Sequence, residues 1–283
     1  MIVAVASGKG GTGKTTVAAS LALVAAEKGP VQYLDCDVEE PNGHLLLHPA
    51  WEHRRAVTVP VPVIDRDKCN FCGRCAQICA FHALAVLPDE VLVFPELCHG
   101  CGGCQYFCPM KAITENKREI GCVETGQSGA IQFVHGCLQV GEAICTPLIG
   151  AVKEQAAPGT LTILDAPPGT SCPVIKTVTN AGFCILVTEP TPFGLHDLRL
   201  AVKMVKKLGI PCGIIINRSD GQDQLIVEFS RDMHIPVLFR LPEDRMVAEG
   251  YAGGMPAVTV RPAWKPLFQN LLDGLEAGKQ CVS

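Results

Sequence analysis

The stretch SGKGGTGKTT, residues 7–16, decides the fold. It follows IVAVA (2–6), an apolar run of strand length. It precedes an Ala/Leu/Val-rich run, reaching about Lys28, that reads as a helix. A loop of the form G-x-x-x-x-G-K-[ST] between strand and helix is a cradle for phosphate groups. Its glycines let successive backbone N–H groups point at phosphate oxygens, and the helix N-terminus adds partial positive charge. Gly8, Gly10, Gly11, Thr12, Gly13 and Thr16 form the candidate loop. Lys14 is placed to reach the β- and γ-phosphates of ATP, or the β-phosphate of ADP, and the Thr15 hydroxyl to ligate Mg²⁺.

Outward from this loop the alternation continues. Gly29-Pro30 stops the helix and VQYLD (31–35) reads as the next strand; LTILD (161–165), CILVT (184–188), GIIIN (213–217) and PVLFR (236–240) follow. Residues 194–208 and 220–233 read as helices between them. This βαβ pattern predicts a doubly wound α/β fold with a mainly parallel sheet. Strands that end on a polar residue, as at Asp35, Asp165 and Asn217, deliver that side chain to the sheet's carboxyl edge. Near the C-terminus, Trp264, Leu267, Phe268, Leu271, Leu272 and Leu275 share one helical face and predict a helix packed on the core.

Composition narrows the partners. With 24 Lys+Arg against 28 Asp+Glu, the formal net charge of −4 gives no electrostatic case for nucleic acid or an anionic membrane. No apolar run is long enough to cross a bilayer. Met1 leads straight into the first strand with no signal-peptide pattern, so the expected location is a reducing cytoplasm. There, sixteen cysteines point to metal rather than disulfides.

The cysteines concentrate in CNFCGRCAQICA (69–80) and recur in CHGCGGCQYFCP (98–109). Cys69, Cys72, Cys75 and Cys79 are spaced C-x2-C-x2-C-x3-C, and Cys98, Cys101, Cys104 and Cys108 repeat that spacing 29 residues later. This is the bacterial ferredoxin run, in which the fourth cysteine of each half ligates the other cluster. Cys69, Cys72, Cys75 and Cys108 are therefore expected to hold one 4Fe–4S cluster, and Cys98, Cys101, Cys104 and Cys79 the second. Two C-x2-C pairs alone would also suit zinc; eight cysteines in a crossed repeat point to clusters. Cys108 is followed by proline, as such runs usually are, but Cys79 by Ala80, which is where local geometry is expected to depart. The division is an inserted α+β ferredoxin-like domain at 60–120 within a P-loop domain at 1–59 and 121–283.

Lys9 directly follows the first loop glycine. The GKGGxGKTT form resembles the deviant Walker A motif of the ParA/MinD family of P-loop ATPases, to which the nitrogenase iron protein and the Mrp-type iron–sulfur carriers are related. EPTPFGLHDL (189–198) looks like the branch carrying an iron–sulfur insertion. The resemblance covers nearly all of 1–60 and 120–280. It implies a nucleotide-dependent homodimer, or pairing with a related ATPase, in which Lys9 reaches the partner's nucleotide. In LDCDVEEPN (34–42) it implies that Asp35 acts on Mg²⁺ through water, Asp37 orients the attacking water and Asn42 lies nearby. In LDAPPGTSCPV (164–174) it implies that Asp165 is the Walker B carboxylate, followed by a γ-phosphate-sensing turn. Asn217 matches an adenine contact, and Pro242 lies where the base is often touched.

The implied function is a slow Mg²⁺-dependent ATPase acting in metal-cluster assembly or delivery to a client metalloprotein. The alternative is ATP-gated electron transfer from the ferredoxin module to a redox partner. Of the other cysteines, Cys36, Cys184 and Cys212 read as core. Cys172, with Cys122, Cys137 and His135, either holds a third, bridging cluster or remains without metal; Cys281 is assigned no role.

Overall fold

The computed structural model describes residues 1–277. Eleven strands and eleven α-helices follow the chain in the order β1 Ile2–Ala6, α1 Lys14–Ala26, β2 Val31–Asp35, α2 Gly43–Leu47, β3 Ala50–Ile64, α3 Arg74–Ile78, β4 Leu84–Val86, β5 Val91–Val93, α4 Gly103–Tyr106 and β6 Ile113–Ser128. Then come β7 Ile131–Leu138, α5 Thr146–Lys153, β8 Leu161–Asp165, α6 Cys172–Val178, β9 Phe183–Thr188, α7 Pro192–Lys207, β10 Cys212–Ser219, α8 Gln224–Asp232, β11 Val237–Pro242, α9 Arg245–Ala252, α10 Ala257–Val260 and α11 Lys265–Glu276.

Nine strands form one sheet in the order β11-β10-β9-β1-β8-β2-β7-β6-β3. From β11 to β7 every pair is parallel, and β6 and β3 add antiparallel strands at one edge. The period-2 alternation of each strand builds the two faces. Ala4, Ala6 and Leu34 enter the layer covered by α5, α6, α7 and α8. Val3, Val5, Val31 and Tyr33 enter the other, covered by α1 and α11. Because α1 is sandwiched beneath other helices as well as the sheet, it is apolar nearly all round. Trp264, Phe268, Leu271 and Leu272 are buried against it, as the C-terminal pattern predicts. Cys36 and Cys184 are fully buried in the core, with Cys212 packed at its margin. Cys281 lies outside the described residues. Among those residues no helix is long and apolar enough to cross a membrane.

One buried polar group ties three parallel strands together. The Gln32 side-chain amide donates to Gln132 Oε1 (2.7 Å) and to the Gln155 carbonyl (3.0 Å), while its oxygen accepts from Ala157 N and Thr162 Oγ1. A buried amide is tolerated because its polar atoms are met.

β3 and β6 were not anticipated. They pair from Ala50↔Gln127 to Ile64↔Ile113, with register shifts at Trp51/His53 and Val57/Thr58, so both strands run through residues 60 and 120. β3 is polar and exposed before Val57 and carries Pro60 and Pro62 within its short alternating stretch, and β6 carries a run of exposed polar residues from Thr114 to Lys117, so neither reads as a sheet strand. The cysteine-rich segment between them carries α3, α4 and the small β4–β5 hairpin. It seats on the ribbon through Val61, Ala83, Cys79 and Cys98.

Gly121 marks the place where β6 crosses from the sheet into this ribbon. A Cβ there would meet the Cys137 carbonyl oxygen at 2.3 Å and Leu148 Cδ2 at 3.0 Å. Gly121→Ala is expected to destabilise the chain by about 1–3 kcal/mol through this overpacking; a thermal unfolding midpoint equal to wild type would contradict that tight crossing.

Candidate functional site

The phosphate loop is held open from three sides. Gly8 lies against α7, where a Cβ would come within 2.2 Å of the Asp197 carbonyl oxygen. Gly13, at φ +90°, precedes α1 with no room for a side chain, because Asn217 Nδ2 occupies that space. The segment after β8 leans in from the third side, with Gly169 N donating to the Ser7 carbonyl at 3.1 Å. Lys14 and Thr12 are buried; Thr15, Thr16, Gly8 and Lys9 are partly exposed, and Gly10 and Gly11 are exposed.

Behind the loop stand two carboxylates. Asp35 and Asp165 are paired across adjacent parallel strands and both are fully buried. Asp35 accepts from the backbone N–H of Gly43 (2.9 Å) and of Asp37 (3.1 Å). Asp165 Oδ2 accepts from the Tyr33 hydroxyl at 2.7 Å, while Oδ1 is buried without a partner. Burial, and then the facing Asp165 charge, hold the Asp35 carboxyl well above its usual range. Burial also raises Asp165, with Lys14, Tyr33 and the Thr15 hydroxyl acting against it. Asp37 is pushed up to about 6 by burial and by Asp165, partly countered by Lys14. An orphaned carboxylate oxygen beside a second carboxylate and a threonine hydroxyl fits Mg²⁺, a hard cation bound by oxygen.

The remaining residues fall at different distances from this centre. Asn42, exposed at the start of α2, makes no capping bond, and Pro242 is exposed at the end of β11. The Asn217 side chain donates to the Thr12 carbonyl at 2.8 Å and so braces the loop. Lys9 is paired with Glu189 at 3.1 Å, and Glu189 also holds Arg218. Sequence reasoning missed Tyr33 and Glu189. Tyr33 was findable, because in VQYLD it lies two positions from Asp35 and shares its face.

The cysteine repeat is also a repeat of backbone geometry. Gly73 and Gly102, 29 residues apart, have φ of +77° and +71°; His82 and Lys111, again 29 apart, have +52° and +50°. The Ala83 and Ala112 N–H groups point at Cys79 Sγ and Cys108 Sγ, both at 3.3 Å. The turn after Cys79 thus matches its proline-bearing counterpart. The expected departure at Ala80 is absent, because these hydrogen bonds fix the turn without the ring.

Two cavities open inside the segment. One is lined by Cys69, Cys72, Cys75 and Cys108, the other by Cys79, Cys98, Cys101 and Cys104, the crossed sets expected from spacing. Among the described residues no three of these sulfurs lie mutually within 4.8 Å. Four sulfurs around one tetrahedral zinc at ~2.3 Å would stand roughly 3.8 Å apart, a tighter set than these thiols form. Burial raises the Cys75 thiol and pushes Cys104 up to about 11. Of the candidate residues for a bridging cluster, Cys172 is exposed at the start of α6, and Cys122 and Cys137 face each other on β6 and β7 beside Glu124.

Comparison with known proteins follows from this geometry. The family model for the CobQ/CobB/MinD/ParA nucleotide binding domain matches residues 3–257, and the chain belongs to that family. An uncharacterized protein of Methanocaldococcus jannaschii, MJ0579, is 32% identical over 258 residues, covering 90% of each chain. The iron-sulfur cluster carrier protein of Aquifex aeolicus is 27% identical over 279 residues, covering 92% of this chain and 62% of that protein. The structure of the septum site-determining protein MinD with Mg-ADP from Pyrococcus horikoshii superposes with a TM-score of 0.59 at 22% identity, covering 99% of both chains.

If the Asn217 amide serves chiefly as a loop brace, Asn217→Ala should weaken ATP and GTP binding alike, by about 2–12-fold for one lost hydrogen bond. Calorimetry showing affinity lost for ATP alone would instead assign it to the adenine.

Proposed function

From this family membership we propose that the chain is a Mg²⁺-dependent ATPase carrying two 4Fe–4S clusters, which uses nucleotide state to present them, as a homodimer, to a client metalloprotein. The observation that carries the reading is the pair of four-cysteine cavities mounted on a ribbon whose other end joins the same sheet as Asp35 and Asp165, with β7 between it and the strand of Asp35. The similarity to a protein named as an iron-sulfur cluster carrier supports metal-cluster assembly or delivery as the task.

In this reading the loop N–H groups and Lys14 neutralise the β- and γ-phosphates, where phosphoryl transfer to water needs positioning and charge stabilisation most. Bound Mg²⁺ would supply further neutralisation, held by Thr15 and by Asp35 and Asp165 directly or through water. Tyr33 occupies one oxygen of Asp165 and leaves the other, which would be available to the ion. Asp37 orients the attacking water once its carboxyl is ionised. Lys9 lies on Glu189 in the single chain; dimerisation exchanges that ion pair for the partner's nucleotide, which matches its partly exposed position. Hydrolysis is slow until a partner completes the site. Asn42 and Pro242 would line the water and base positions.

The N–H groups aimed at Cys79 and Cys108 stabilise negative charge on sulfur, a known influence on cluster potential. One observation favours a second reading, ATP-gated electron transfer. Both cavities lie within one small module, which suits a short electron path.

Lys14→Ala should abolish hydrolysis while iron stays at about eight per chain, the content of two 4Fe–4S clusters; iron lost together with activity would deny the separation of the two sites. Lys9→Ala should prevent MgATP-induced dimerisation, and sedimentation that responds to MgATP like wild type would sink the role given to that lysine. A potentiometric EPR titration with and without MgATP separates the two tasks. A shift of about 60 mV, tenfold for one electron, favours gated electron transfer, and no shift, with cluster transfer to an apo-protein acceptor, favours delivery.

A further inference from the structure

Outside the phosphate loop and the ferredoxin cavities, one further cluster of metal-binding side chains stands on β6 and β7. Cys122 is registered opposite Cys137, and Glu124 opposite His135. Directly opposed residues of an antiparallel pair share a face, and so do residues two apart on one strand. All four side chains therefore converge on one patch. The Cys122 and Cys137 sulfurs and a Glu124 oxygen lie within 4.8 Å of one another. His135 Nε2 is 2.8 Å from Glu124 Oε2 and 3.5 Å from Cys137 Sγ.

The patch is buried on one side and open on the other, where Glu124 and Cys137 are partly exposed. Cys122 and His135 are 4% and 3% exposed. The Trp51 ring stacks on the imidazole with centroids 4.6 Å apart, and the His44 ring meets its edge at 5.4 Å. Arg54 approaches the outer oxygen of Glu124 at 3.7 Å. Cysteine alone is an ordinary core residue, but an imidazole and a carboxylate are poor ones, and packing gives no reason to gather both beside two thiols.

We propose that Cys122, Cys137, His135 and Glu124 form a mononuclear site for a divalent transition metal of the zinc class, separate from the ferredoxin cavities. Two sulfurs, one imidazole nitrogen and one carboxylate oxygen are a donor set that borderline metals accept and that Mg²⁺ and Ca²⁺ do not. Sulfurs already this close leave room for one ion, not for a four-iron cluster. The position gives the metal a structural task. β6 leaves the sheet for the ribbon at Gly121, one residue from Cys122, so an ion bridging Cys122 to Cys137 would pin the ribbon's base to β7, the strand registered beside Asp35.

The test uses the full chain, purified without oxygen and titrated with Zn²⁺ against a chromogenic chelator. Iron and sulfide are assayed on the same samples. Wild type is expected to bind one more zinc per chain than Cys122→Ser/Cys137→Ser, with iron and sulfide equal in both and MgATP binding retained as the check on folding. Glu124→Gln, which leaves both sulfurs in place, should weaken that zinc at least tenfold and serves if the double variant does not fold. Zinc X-ray absorption should show two sulfurs near 2.3 Å and two lighter ligands. Equal zinc in wild type and in whichever variant folds would overturn the site. Loss of iron and sulfide from the cysteine variant would overturn it too, by assigning these thiols to a cluster.

Discussion

Two carboxylates, Asp35 and Asp165, lie side by side in the apolar interior, and the rest of the site is arranged around that fact. Like charges at close range in a low-dielectric setting cannot both ionise without compensation. The chain supplies part of it: two backbone N–H groups on Asp35, a tyrosine hydroxyl on Asp165, and Lys14 nearby. It leaves one oxygen of Asp165 unmet. The incomplete satisfaction is a physical invitation to a cation, and it explains why these strands end where they do. Parallel strands in register place the two acids at the same level of the sheet, and the phosphate loop, anchored on the strand beside Asp165, is brought to the same edge.

The cysteine-rich segment solves a different problem. It has little apolar core of its own, a few residues around Val61, Ala83 and Cys98. Small modules with so little to bury generally need cross-links or metal to hold them. The repeated turn, with left-handed residues at matched positions and N–H groups directed at the fourth cysteines, gives two similar half-sites from one local rule. Each half also contributes its fourth cysteine to the other's cavity.

The parts legible in the sequence are those governed by local rules. IVAVA, VQYLD, LTILD and GIIIN announce buried parallel strands because both faces are covered, so the apolar runs are nearly continuous. Cysteine spacing foretold which four thiols share each cavity. What could not be read depends on pairing between distant segments. The ribbon of β3 and β6 has a solvated stretch with prolines and charges, which looks like a linker until its partner strand is known. The Asn217 brace and the Lys9–Glu189 pair are likewise meetings of residues about 180 or more positions apart, for which periodicity carries no signal. The Cys122–Cys137 pairing follows from strand register alone.

The ribbon has a mechanical consequence. Beyond its last pairing with β7 at Gly121, β6 continues through residues 113–119 beside β3 alone, about 24 Å of strand. Two paired strands confine the cysteine module more than a single-stranded tether would, and the register shift at Val57/Thr58 lies at the base of the arm. The module is the tip of an arm whose fulcrum is that base. Any tilt between two nucleotide-clasped copies would be delivered to that tip enlarged, as a swing of the module toward or away from its mate.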